Sequence, residues 1–340
     1  MTARLAEVLR GGIVESVHEG TVVVADVSGK IVASSGNPDT FAYFRSSAKP
    51  FQAIAVVESG AADRFGFTPA ELALCCASHS AEAKHQSQVL AMLAKLGLDD
   101  SALQCGIPLP IDELETALIL SGKRELSPLQ CDCSGKHTGM LAAALQLGYP
   151  IDSYLEPEHP LQQRIKGVIA EVCRVAPGDL KLATDGCSVP TFGVSIAAMA
   201  TAFATLAAPN KAPSGCGLEH VPALTRLREA MCAHPENVGG SSDRLDTDLM
   251  KLSKGAMVAK SGAEGLLCVG IPEHEIGIAI RVADGSYRAH AVAIEQVLSQ
   301  LDLAGSSLIA AMNEQWDHRI FNHNKRLVGE IRAAFTLKVA

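Results

Sequence analysis

The sequence predicts an α+β fold, in which an antiparallel sheet is assembled from both ends of the chain and a helical insertion leaves its middle. Two observations carry this prediction. Runs rich in β-branched residues occur at 13–17 and 20–34 and return after about residue 245, whereas the pattern between residues 46 and 235 is mainly helical. No internal repeat or low-complexity tract breaks the chain. The α+β part is expected at about 1–45 with 245–340, and the helical part at about 46–244.

Within 20–34, two β-rich runs flank a turn at Ser28-Gly29. From Ser46 the pattern changes: Phe51, Ala53, Ile54, Ala55, Val56 and Val57 are apolar nearly all round, which marks a helix buried on most faces. Thr68, Pro69 and Glu71 supply an N-cap, a first-turn proline and a capping-box partner for the next helix. Loops are expected at 106–110, 127–134 and 209–217, and a linker at Asn237–Arg244. After it, 265–270 reads as a short strand. The run 276–283 is expected to pair with 287–292 across Asp284-Gly285-Ser286. A final helical run contains Val297, Leu298 and Leu301.

Composition narrows the class. With 48% hydrophobic and only 19% charged residues, a disordered chain is excluded. The 29 basic and 37 acidic residues give a net charge of −8, which disfavours a nucleic-acid partner. The greasiest stretch, Val194–Ala208, is diluted by Ser195, Thr201 and Thr205 and is too short to cross a bilayer, so it reads as a buried Ala-rich helix. No apolar signal segment opens the chain, and ten cysteines are therefore expected to be thiols in a reducing cytoplasm.

Several short patterns bear chemistry. Ser46 and Lys49 are spaced i, i+3, so a helix starting there places hydroxyl and amine on one face. A neutral lysine can activate a serine, but at a pKa near 10.4 only about 0.04% of a lysine is neutral at pH 7. Burial and a nearby like charge must lower it. Ordinary helix starts also look like Ser-x-x-Lys. Ser78 and Ser80 sit where one helix ends and another begins, which equally suits N-capping. Lys260-Ser261-Gly262 precedes a predicted strand, and alone could be a solvated turn. Taken in order, Ser-x-x-Lys, Ser-x-Ser and a late Lys-Ser-Gly are similar to the motifs of the penicillin-recognising serine hydrolases, where they converge on one cleft.

Cysteine-bearing motifs form a second set: 131–139, with Cys131, Cys133, Lys136 and His137, and 184–190, with Asp185 and Cys187. Ser134-Gly135-Lys136 is not a phosphate loop, because Gln130 and His137 stand where that motif needs glycine and Ser or Thr. Two thiolates and a nitrogen are a plausible zinc set with one position open. By spacing, His137 is the obvious nitrogen and Lys136 an eccentric one, since an amine must lose its proton to ligate. Buried thiols beside a helix start are the plainer alternative. His85, His159 and His274 belong to no reactive pattern and read as structural or surface residues.

Together, 45–50, 77–82, 133–139, 184–190 and 260–265 resemble the Rhizobium-type (class 3, asparaginase II superfamily) L-asparaginases over nearly the full chain. The resemblance implies a serine β-lactamase-like fold, a homodimer, a single catalytic unit over 1–340, and hydrolysis of L-asparagine to L-aspartate and ammonia. It implies two serine–lysine tandems, Ser46 with Lys49 and Ser78 with Lys260. It also implies zinc held by Cys133, Lys136, Cys187 and water, with Asp185 near the metal or the substrate amine and His137 behind the ligands. The expected mechanism has neutral Lys49 activating Ser46, while Ser78 and Lys260 relay a proton to ammonia. A glutaminase, a penicillin-recognising hydrolase and a non-catalytic zinc-dependent amino-acid binder are the alternatives.

Overall fold

The computed structural model describes residues 1–340. Its main sheet is antiparallel and joins the two ends of the chain. From the N-terminal side come β1 (Ala3–Arg10), β2 (Ile13–Asp26) and β3 (Ile31–Ser35). A three-residue strand, β4 (Phe41–Tyr43), follows before the helical region. In that region lie α1 (Lys49–Gln52), α2 (Ile54–Glu58), α3 (Ala61–Arg64), α4 (Pro69–Cys75), α5 (Ala83–Lys95), α6 (Glu113–Leu120), α7 (Ser134–Leu147) and α8 (Pro160–Cys173). Two strands, β5 (Lys181–Thr184) and β6 (Pro190–Ser195), precede α9 (Ile196–Ala207), α10 (Val221–Ala233), α11 (Pro235–Val238) and α12 (Leu245–Leu252). The C-terminal part holds β7 (Val258–Gly262), β8 (Leu266–Ile271) and β9 (Ile276–Val282), then α13 (His290–Gln300) and α14 (Ser306–Gln315), and finally β10 (Arg319–Phe321), β11 (Leu327–Ala333) and β12 (Lys338–Val339).

The sheet order is β10-β11-β1-β2-β9-β8-β7, with β3 pairing β2 and β12. Strand β2 is long enough to serve several partners: its first half pairs β1, and its second half lies between β9 and β3. That second half is buried on both faces, which explains the unalternating run Val22, Val23 and Val24. Helix α9 covers this face. Its Ala-rich surface permits close approach, and a Cβ at Gly277 on β9 would meet the Ala200 carbonyl at 2.0 Å. One continuous core runs from Val22 and Ile280 in the sheet to Phe51, Leu141 and Phe203 in the helices.

Several expectations change here. Residues 13–26 form one strand instead of two runs. Residues 287–292 are not a strand: β9 already has β8 and β2 on its two edges, so no edge is free, and the apolar residues from Val292 to Leu298 turn inward as α13. The central region is not purely helical, since β5, β6 and β4 make a small second sheet. The expected linker at 237–244 is instead tied down, with Val238 and Gly239 accepting backbone hydrogen bonds from Ser78 and Ser80. The capping box at Thr68 and Glu71 forms on both sides. All ten cysteines are free, and no helix is long and apolar enough to cross a membrane.

Candidate active site

A cavity of about 540 Å³ opens where the main sheet's β7 edge faces the helical region. Ser46, Ser78 and Ser261 line it, together with Asp132, Cys133, Asp185 and Cys187. Two amines lie behind the lining, and both, Lys49 and Lys260, have no solvent exposure.

Ser46 comes from a 3₁₀ turn, Arg45–Ala48, that feeds α1. The turn starts with strain, because Arg45 has a φ of 47°, a region that non-glycine residues seldom occupy. Its Nε donates to Asp185 Oδ1 at 2.7 Å, which ties the serine turn to the 184–190 segment. Lys49 does not pair with Ser46 by a hydrogen bond. Its Nζ donates to Ser78 Oγ at 2.7 Å and lies 3.6 Å from Asp132 Oδ2.

The Ser78 loop is held from several sides. Its backbone N–H groups at Ser78 and Ser80 pair with Val238 and Gly239, and Arg244 donates to the Ser78 carbonyl at 2.7 Å. His79 Nδ1 accepts from the Ala81 N–H, so Nε2 carries the proton and donates to Ser134 Oγ at 2.9 Å. Burial pushes the pKa of this imidazole well down, which keeps it neutral. Lys260 lies on β7. Its Nζ is 3.4 Å from Asp246 Oδ2 and donates to the Ser261 carbonyl at 3.0 Å; no hydrogen bond joins it to Ser78.

The cysteine motifs meet on the same side. Cys133 caps α7 and Lys136 lies in its first turn. Gly135 between them is required by packing, because a Cβ there would sit 2.4 Å from the Leu74 carbonyl at the end of α4. Cys187 projects from the turn between β5 and β6, where Ser188 adopts a φ of 76°. Lys136 Nζ donates to Cys187 Sγ at 2.9 Å. Hydrogen bonds from the Cys131 and Cys187 thiols hold the Cys133 thiol well below its usual pKa, and the charges of Lys136 and Lys49 add to this. A second grouping, Cys131, Asp132 and Cys133, has ligand atoms within 4.8 Å of one another. His137 is fully buried, and its Nδ1 lies 2.7 Å from the Tyr154 hydroxyl, which also accepts from the Gln104 N–H.

The two buried lysines are shifted in opposite directions. Burial works against the Lys49 ammonium, but Cys133 and Asp132 more than offset it, and its pKa is raised. Lys260 is lowered to about 8, by burial first, with Lys49 and Arg244 acting in the same direction and Asp246 against it. One ammonium is therefore held more firmly than usual, while the other gives up its proton more readily.

Sequence reasoning passed over Asp132, Arg244 and Asp246. The last two were hidden because Arg244 closes an apparent linker, and Asp246 is an acid in a first helical turn, where acids are ordinary. The one available signal was the clustering of Arg244, Asp246 and Asp248 just before the Lys260 strand.

Comparison with known proteins adds the following. No curated protein matches the chain. Among solved structures, a protein named Mglu aligns at 15% identity with a TM-score of 0.45, covering 85% of this chain and 63% of that one. The chain thus spans less than two thirds of Mglu. A β-lactamase from Mycobacterium bovis aligns at 13% identity and a TM-score of 0.37, covering 87% and 94% of the two chains. A Bacillus glutaminase does so at 13% and 0.37, covering 84% and 91%. The family model for L-asparaginase II matches residues 6–333, nearly the whole chain, and the protein belongs to the asparaginase II family.

Proposed function

We propose that the protein is an L-asparaginase of the Rhizobium type, a serine amidohydrolase that converts L-asparagine to L-aspartate and ammonia. Family membership supports an amidohydrolase acting on a small molecule. The observation that carries the finer reading is the 2.7 Å contact between the Lys49 amine and the Ser78 hydroxyl, in a cavity that Ser46 also lines. A pure binding site gains nothing from two fully buried amines beside serines, because each costs desolvation. A serine β-lactamase-like arrangement belongs to the same reading, with the site between an antiparallel sheet and a helical region.

In this mechanism Ser46 attacks the side-chain amide carbon, as the half-exposed hydroxyl that faces the cavity. Lys49, one turn further along the chain, is assigned to accept its proton, for which its amine must first give up the proton that Cys133 and Asp132 hold on it. The carbon–nitrogen bond then breaks: Lys260 donates a proton to the departing nitrogen, ammonia leaves, and the proton held by Lys49 returns through Ser78 to Lys260. Water hydrolyses the aspartyl ester and returns the proton to Ser46. The Ser46 N–H is assigned to the oxyanion, since the Arg45 and Ser47 N–H groups on either side already donate to Thr191 Oγ1 and the Phe44 carbonyl. Asp185, fixed by Arg45, is assigned to the substrate amine.

For zinc, the test is the donor chemistry. Cys133, Lys136 and Cys187 are each no more than 4% exposed, and the amine lies 2.9 Å from one of the sulfurs. Two sulfurs, a nitrogen and an open position suit zinc. The neighbouring sulfurs raise Lys136 despite burial, so its ligation must release a proton. When bound, the ion supplies positive charge that offsets the two thiolates and helps orient the substrate. His137 stays behind this set, held by Tyr154.

A glutaminase is the second reading, because a cavity of about 540 Å³ leaves room for one more methylene. One methylene is worth only about 10–200-fold in discrimination. Ammonia release from asparagine and glutamine, with and without a chelator, tests both. Asparagine turnover at least tenfold above glutamine supports the first reading, and the reverse supports the second. The reading extends to a cytoplasmic homodimer, for which light scattering at two protein concentrations is the test.

A further inference from the structure

We propose that Asp246 is a positioning residue for the reaction: its buried carboxylate holds the Lys260 amine and the Ser261 hydroxyl in one arrangement and sets a negative charge beside the Lys260 ammonium, the proton donor. The inference rests on the serine–lysine reading in one respect, the role of Lys260 as donor to the leaving ammonia.

Asp246 and Lys260 have no solvent exposure, and a carboxylate in that position is costly unless donors surround it. Here they do. Oδ2 accepts from Ser261 Oγ at 2.7 Å and from the Ser261 N–H at 3.1 Å, and lies 3.4 Å from Lys260 Nζ. Oδ1 accepts from the Thr247 N–H at 3.1 Å. A single carboxylate thus holds the backbone, the hydroxyl and the amine of the Lys260-Ser261 pair, while Ser261 itself lines the cavity. The contact joins α12 to β7, two elements that the chain brings together only on folding.

The groups facing Lys260 are few. Lys49 from α1 and Arg244 from the start of α12 are cationic, and Asp132 lies before α7. The Cys76 and Cys268 thiols face it from the end of α4 and from β8, and burial pushes both upward, which keeps them neutral. Burial, Lys49 and Arg244 all favour loss of the Lys260 proton, and Asp246 is the nearest group that opposes them. Replacing its charge by a neutral amide leaves the depressing influences in command.

Asp246→Asn in the full-length protein is the test, with two readouts. The first is the pH profile of kcat/KM. The alkaline limb is expected to move down by about one pH unit, so that the variant loses about fivefold more activity at pH 8 than at pH 6. The second readout is the pH dependence of Tm, which needs no activity. Lys260 has a folded pKa of about 8, below its unfolded value of about 10.4. Its charge therefore costs stability in full below pH 8, and that cost fades as pH rises towards 10.4. In Asp246→Asn this rise in Tm begins at lower pH. A variant whose alkaline limb and Tm profile both keep the wild-type shape, with only a uniform loss, overturns the proposal. If Asp246→Asn fails to fold, Asp246→Glu keeps the charge and is expected to retain the alkaline limb; a downward shift of a full unit there overturns the proposal as well. Should the wild type release no ammonia, the functional reading fails, while the Tm comparison still tests the Asp246–Lys260 pair.

Discussion

Two lysines, equally buried and each within 4 Å of a carboxylate, are shifted in opposite directions. Lys49 faces Asp132 and the Cys133 sulfur, and the pair of negative groups holds its proton against burial. Lys260 has Asp246 as its nearest anion, with Lys49 and Arg244 opposing, and falls to about 8. Burial by itself therefore does not decide a lysine's charge: the count and sign of neighbours within a few ångströms do. The difference also separates tasks. The lysine next to a serine hydroxyl is tied to the cysteine motifs, whereas the other is tied to a carboxylate that no recognised motif contains.

The largest effect that can break this comparison is loss of the nucleophile. Ser46→Ala is expected to reduce ammonia release from asparagine by about 10³-fold or more, with folding intact by circular dichroism. If Ser78→Ala has that effect and Ser46→Ala keeps near-normal activity, the attack belongs to the hydroxyl that Lys49 touches. Next, Lys260→Met is expected to cost about 10²–10⁴-fold, the range for a missing proton relay. An equal loss at every pH, with no change of profile, would assign Lys260 to packing alone. Cys133→Ser should lower zinc content in freshly purified protein, measured by native mass spectrometry. It should also ease deprotonation of Lys49, because the thiolate is its leading stabiliser. Undiminished zinc in that variant removes Cys133 from the ligand set. The smallest effect lies in the scaffold. Gly135→Ala must push apart α7 and α4, at about 1–3 kcal/mol of stability read from denaturant unfolding.

Much of the fold was legible because its signals are local. The Thr68 capping box and the apolar helix from Ile196 each follow from a few adjacent residues. Residues 287–292 misled because Tyr287, Ala289 and Ala291 alternate like a strand, while the true edge partner of β9 depends on topology. Strands β10 to β12 escaped notice as short, largely exposed runs whose pairing with β1 and β3 reaches across the whole chain. In the site, Ser46, Lys49, Ser78, Lys260, Cys133, Lys136 and Cys187 could all be marked from spacing and resemblance. Which amine meets which hydroxyl could not. That Lys49 reaches Ser78, and Lys260 reaches Asp246, is set by how α1, α4, α12 and β7 pack.

The most direct test of the central claim is a coupled ammonia assay on purified protein with L-asparagine, run beside Ser46→Ala. The account predicts steady ammonia release by the wild type and its loss in the variant. Heat of asparagine binding without ammonia from the wild type would contradict it and leave an amino-acid binder in place of an enzyme.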